Sequence, residues 1–136
     1  MTVQLLPNAE ALLVDFLRDQ AEVTALCSQR IYTVLPNEHD TWPAVRVTRL
    51  GGRTITHVPL WLDAPFLQVD VWGGPKATAF TLTETIRAVI AERLAGVHDH
   101  GVVTKAEFGG VAFLPDQTWE PARPRYSLDL TLYTHP

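Results

Sequence analysis

The chain has 136 residues, 46% hydrophobic and 19% charged, with a formal net charge of −4 and a pI near 5.6. That length makes one domain able to bury roughly two-thirds of the surface its unfolded form exposes, and the acidic balance argues against a broad basic face that grips nucleic acid. The single Cys27 excludes an internal disulfide; with no signal-like opening and no apolar run near ~20 residues, the chain reads as a soluble protein of a reducing compartment with no membrane partner.

In chain order, Asn8 can cap a first helix reaching about Arg18, with Leu12, Leu13, Phe16 and Leu17 as its inward stripe. A short helical turn follows from about Ala21 to Cys27, with Val23 and Leu26 inward. Arg30 to Thr33 reads as a short strand, and LPNEHDTWP, dense in turn formers, as a loop. From Ala44 to Leu50 apolar and polar residues alternate, Val45 and Val47 opposite Arg46 and Thr48. Gly51-Gly52 then opens a long excursion, GGRTITHVPLWLDAP, expected to be a protruding hairpin or loop.

The strand FLQVDVW puts Leu67, Val69 and Val71 on one side and Gln68 and Asp70 on the other, because successive side chains point to opposite faces. It runs through Gly73-Gly74-Pro75 into an amphipathic helix of about five turns. Pro75 suits the first helical position, and Ala79, Leu82, Ile86, Val89, Ile90 and Leu94 recur at helical spacing. Gly96 is a plausible helix stop, VHDHG a turn, and Val102 to Phe108 alternates again. Gly109-Gly110 leads into VAFLPDQTWEPARP, read as a second long loop. The last strand, Tyr126 to Tyr133, sends Leu128, Leu130 and Leu132 inward and Ser127, Asp129 and Thr131 outward. These elements predict an α+β, two-layer sandwich over residues 1–136: a mostly antiparallel sheet of four to five strands, helices packed on one face, the far face polar.

Chemistry-bearing constellations are sparse. His98-Asp99-His100 combines metal-ligand types, but sequence neighbours rarely converge on one ion without ligands from elsewhere, and a solvated turn explains them. His39-Asp40 reads the same way. Ser28 and Ser127 lack the G-x-S-x-G setting of an exposed nucleophile, and Cys27 closes an apolar turn as a small core residue. The glycine pairs lack phosphate-cradle spacing. Asp70 and Asp129 lie beside Arg46 on the polar sheet face, where cross-strand ion pairing is the simpler reading than acid–base work. No catalytic, cofactor or metal residue is therefore assigned. The competing enzyme reading is a small hydrolase or metal-dependent enzyme built on His98, Asp99 and His100.

What does stand out is large apolar side chains in the two excursions: Val58, Leu60, Trp61 and Leu62 in the first, Val111, Phe113, Leu114 and Trp119 in the second. They either fold back over the sheet's open face and edges or form a subunit or tube interface, since a contiguous exposed apolar patch marks an interaction surface. The second option makes Trp61, Leu62, Phe113 and Trp119 anchors, with Arg53, Arg123 and Arg125 along the rim.

The succession QRIYTVLP, WPAVRV, LQVDVWGG and RPRYSLDLTLYT, in that order and spacing, resembles the tail-terminator, or tail-completion, proteins of long-tailed bacteriophages over nearly the whole chain. The resemblance implies a non-enzymatic virion protein, assembled in the host cytoplasm. It would form a homo-oligomeric ring, a hexamer in that family, on the head-proximal end of the tail tube. There it would end tube polymerisation and offer a docking face to the head-tail connector, with DNA passing only in transit. Asp70 and Asp129 would then face the lumen. A head-completion or neck ring at the head–tail junction is the alternative.

Overall fold

The computed structural model describes residues 3–36, 41–55 and 61–136, with only the backbone of Thr54 and Ile55. The elements are α1 (Ala9–Arg18), α2 (Ala21–Cys27), β1 (Ile31–Tyr32), β2 (Ala44–Ile55), β3 (Leu62–Trp72), α3 (Lys76–Arg93), β4 (Gly96–His98), β5 (Gly101–Phe113) and β6 (Arg125–His135). The Asn8 side chain caps α1 by accepting from the Ala11 N–H at 3.1 Å. Pro75 sits one position earlier than expected, as the N-cap of α3.

The sheet has six strands in the order β1-β2-β3-β6-β5-β4, antiparallel except for the β1–β2 pair. It is thus larger than the four to five strands expected, mixed, and curled into a half-barrel. Register shifts between Arg49 and Gly51 in β2, and between Val103 and Lys105 and between Phe108 and Val111 in β5, mark bulges that increase local twist. These bulges also explain the strand lengths. Both glycine pairs read as strand ends in sequence, yet β2 and β5 pass through them. The first excursion is accordingly a long β2–β3 hairpin, and the second begins as the end of β5. At Gly52, φ is +103° and a Cβ would stand 2.2 Å from the Ala64 carbonyl oxygen, so only glycine lets the strands approach there.

The three helices among the described residues lie on one face. Leu12, Leu13 and Leu17 of α1, Val23 of α2 and Leu82, Ile86 and Ile90 of α3 bury against Val45, Val47, Leu67, Val69, Val71, Leu128, Leu130 and Leu132. The period-3.6 stripe of α3 thus meets the period-2 rows of the strands. Gly96, expected only to stop the helix, has φ +143° and begins β4.

Candidate functional site

The β2–β3 hairpin forms one end of the molecule. Near its base, Arg49 grips the buried carboxylate of Asp63 with two hydrogen bonds of 2.8 and 3.2 Å, and Glu10 of α1 accepts the Arg49 backbone N–H at 2.7 Å. The bidentate pair clasps β2 to β3, and the Glu10 bond ties the hairpin to the first turn of α1. Beyond it, Arg53 is exposed, Leu62 is half-buried, and Trp61, 45% exposed, stacks on His135 at 5.3 Å. Val58 and Leu60 fall outside the described residues.

The opposite end carries a tryptophan–arginine cluster. Trp119 meets Trp42 edge-on at 5.1 Å, and the Arg123 guanidinium lies 4.2 Å from the Trp42 ring and 5.5 Å from that of Trp119. These distances suit cation–π attraction. Behind them Trp72 is buried, its indole N–H donating to Asp116 at 2.7 Å. Arg125 donates through Nε to the Leu114 carbonyl at 2.9 Å and approaches Asp116 at 4.0 Å. Burial acts most strongly on Asp116, pushing its pKa up. The Thr118 hydroxyl and backbone N–H, the Trp72 indole and Arg125 together outweigh it and hold the carboxyl below its ordinary value. The Leu114–Pro124 loop is pinned further by backbone bonds between Asp116 and Arg123.

Residues expected along one interface therefore separate. Arg53 pairs with Ala64 and Arg125 with Trp72, eight positions apart on β3, or about 26 Å at ~3.3 Å per residue. Trp119 and Arg123 fold back onto the chain, whereas Trp61 and Phe113 keep substantial exposure. Phe113 is 36% exposed, contacts Tyr126 and carries the Lys76 ammonium 4.0 Å above its ring. With Phe80 and Leu114 it forms an exposed apolar patch beside the start of α3.

Across the polar sheet face, Arg46, Asp70 and Ser127 align in register on β2, β3 and β6. Asp70 is fully buried, paired with Arg46 at 2.7 Å and accepting from Gln68 at 2.8 Å and Ser127 at 2.6 Å. A solvent-facing Asp70 does not fit this arrangement: its charge is matched within the chain, as cross-strand pairing anticipates. Asp129, opposite Gln68, is half-buried on the same face.

The histidine turn does not converge on an ion site. His98 Nε2 contacts the Leu94 carbonyl at 2.6 Å, while His100 Nε2 meets Asp15 at 2.5 Å, both beside a groove of about 340 Å³. Among the described residues, no three His, Cys, Asp or Glu side chains are grouped to hold a metal. His39 and Asp40 lie outside the described residues. Cys27 is buried, which pushes its thiol pKa up to about 11. Sequence reasoning overlooked Trp72, Asp116, Arg49 and Asp63. The one available signal was that a tryptophan ending an apolar strand needs an acceptor for its indole N–H.

No protein-family profile and no curated protein matches the sequence. The fold, however, is similar to that of a chain in the virion of a native gene transfer agent particle, with a TM-score of 0.78 at 14% identity, covering 93% of this chain and 94% of that one. At that identity the likeness establishes a shared fold, from end to end of both chains.

Proposed function

We propose that this chain is a virion structural protein that caps the head-proximal end of a phage-type tail tube as a homo-oligomeric ring. It would end tube polymerisation and present a docking surface to the head-tail connector. The observation that carries this reading is the end-to-end fold agreement with a virion chain, which coincides with the independent sequence resemblance to tail terminators. The molecule's physical character supports it. A rigid two-layer core carries exposed apolar groups at both ends, as a subunit needs when it meets its own copies laterally and other layers above and below. The reading assigns no catalytic role to any residue.

In such a ring, copies of net charge −4 would repel DNA passing through the bore. With Asp70 neutralised by Arg46, Asp129 is the one of the two aspartates left to face the bore. Electron microscopy of tails assembled with and without the chain tests the reading. Loss of a terminator gives tubes of uncontrolled length; tubes of normal length with missing or unjoined heads would assign the chain to the neck instead.

A further inference from the structure

The two outer edges of the sheet differ in how far they are covered. Along β2, the outer edge is closed from Val45 to Gly51: β1 pairs at Val45 and Arg46, the Glu10 carboxylate takes the Arg49 N–H, and Arg49 Nε donates to the Gly51 carbonyl. At the other side, β4 covers β5 only from Gly101 to Val103. From Thr104 to Phe113 no strand or side chain among the described residues pairs with the outer edge of β5. Proline is absent from this stretch, and its lysine gives no guard. Lys105 is held by Glu107 and lies over the Tyr133 ring of β6, turned across the sheet rather than out from the edge. Open edges of this kind are templates for an added strand, and proteins normally blunt them, bulges included; the two bulges of β5 leave the regular stretch Lys105–Phe108 between them.

The chain also carries a segment outside every helix and strand. Residues 3–7 make no backbone–backbone hydrogen bond. Val3 and Leu5, two positions apart, are each 74% exposed. Its root is held where buried Pro7 packs so closely on Gly101 that a Cβ there would stand 2.5 Å from the proline ring, and Gln4, Leu5 and Leu6 line a groove beside Val97 and Val102, which sets the segment next to the start of β5.

We infer that the open edge of β5 receives residues 3–6 of a second copy of this chain as an added strand. In that register, Val3 and Leu5 lie on the same side as Ala106 and Phe108, the half-buried β5 residues that already pack against the core. Gln4 lies on the polar side with Lys105 and Glu107. Backbone bonds supply the attachment, and the alternation fixes which face each side chain takes. Donor and acceptor are different parts of the molecule, so the contact is head-to-tail and can propagate around a ring. This deepens the proposed ring and rests on that reading for its closure; the strand donation itself rests on the two edges and the arm.

The test uses the chain lacking residues 2–6, which keeps Pro7 and the Asn8 cap, and a synthetic peptide of residues 2–8. Adding peptide should slow amide hydrogen exchange at the outward-facing amides between Lys105 and Phe108 at least tenfold, and a peptide carrying Val3→Asp and Leu5→Asp should not. Mixed copies bearing Gln4→Cys and Glu107→Cys separately should form an intermolecular disulfide under mild oxidation. Unchanged exchange at millimolar peptide, equal protection by the aspartate peptide, or a disulfide that forms only within a doubly substituted chain would overturn the inference. Truncated chains that still cap tubes would remove strand donation and leave the ring reading intact. A protected β5 edge in a chain that never caps a tube would do the reverse.

Discussion

The Trp72 indole N–H donates to Asp116 Oδ2 at 2.7 Å across 44 positions of sequence. This bond joins the last residue of β3 to the loop that precedes β6, and so holds the tryptophan–arginine end together. Replacing Asp116 with alanine leaves a buried donor without a partner and should destabilise the fold by about 1–3 kcal/mol. Chemical denaturation checks the size; a loss below the error of the measurement would show that water replaces the carboxylate.

The same carboxyl gives a pH dependence of known sign. Asp116 is held below its ordinary value in the folded chain, so its contribution is present above the unfolded pKa of about 4 and lost as pH falls through the folded value. The stability gap between the wild type and Asp116→Asn should therefore be constant near pH 6 and narrow below about pH 4. A gap that widens on acidification would reverse the assignment.

Gly51 and Gly52 are adjacent but not equivalent. A Cβ on Gly51 meets nothing within 4 Å, whereas on Gly52 it would collide with the Ala64 carbonyl at 2.2 Å in a left-handed conformation. Gly52→Ala should cost about 1–3 kcal/mol and weaken the hairpin, while Gly51→Ala should stay within roughly 0.5 kcal/mol of wild type. Equal effects in thermal unfolding would mean that the strands can separate at this point without penalty.

How far the fold could be read from sequence follows from the range of the interactions involved. The α3 stripe from Ala79 to Leu94 and the rows Leu67–Val69–Val71 and Leu128–Leu130–Leu132 declare their buried faces through local periodicity, and each is buried as read. β4 escaped because Gly96-Val97-His98 is too short to alternate. The passage of β2 and β5 through their glycine pairs escaped because a bulge and a strand end share the same residues. Alternation put Asp70 on the polar face correctly, but could not tell that Arg46, Gln68 and Ser127 would enclose it. The Trp42–Trp119–Arg123 cluster depends on segments nearly 80 positions apart, beyond any local pattern.

Cys27 offers a readout of opening. Burial raises its thiol to about 11, so at pH 8 almost no thiolate is present and a disulfide reagent should react far more slowly than with a free cysteine. Reaction should accelerate to the free-thiol rate on addition of denaturant. Rapid labelling of the native chain would show that α2 opens locally rather than with the whole domain.

The two loop tryptophans should part company on truncation. Trp119 packs on Trp42 and Arg123 within its own chain, so Trp119→Ala removes an aromatic pair and a cation–π contact and should lower stability by about 1–3 kcal/mol. Among the described residues, Trp61 has its ring contact in the stack on His135 and is nearly half exposed; Trp61→Ala should leave the thermal midpoint within a few degrees of wild type. If Trp61 anchors an interface, its loss should weaken assembly on tail tubes by about 2 kcal/mol, some thirtyfold in affinity. Measuring unfolding and tube binding for both variants separates the roles. Unaltered tube capping by Trp61→Ala would confine the hairpin tip to a structural part and shift the search for contacts to the Phe80–Phe113–Leu114 patch.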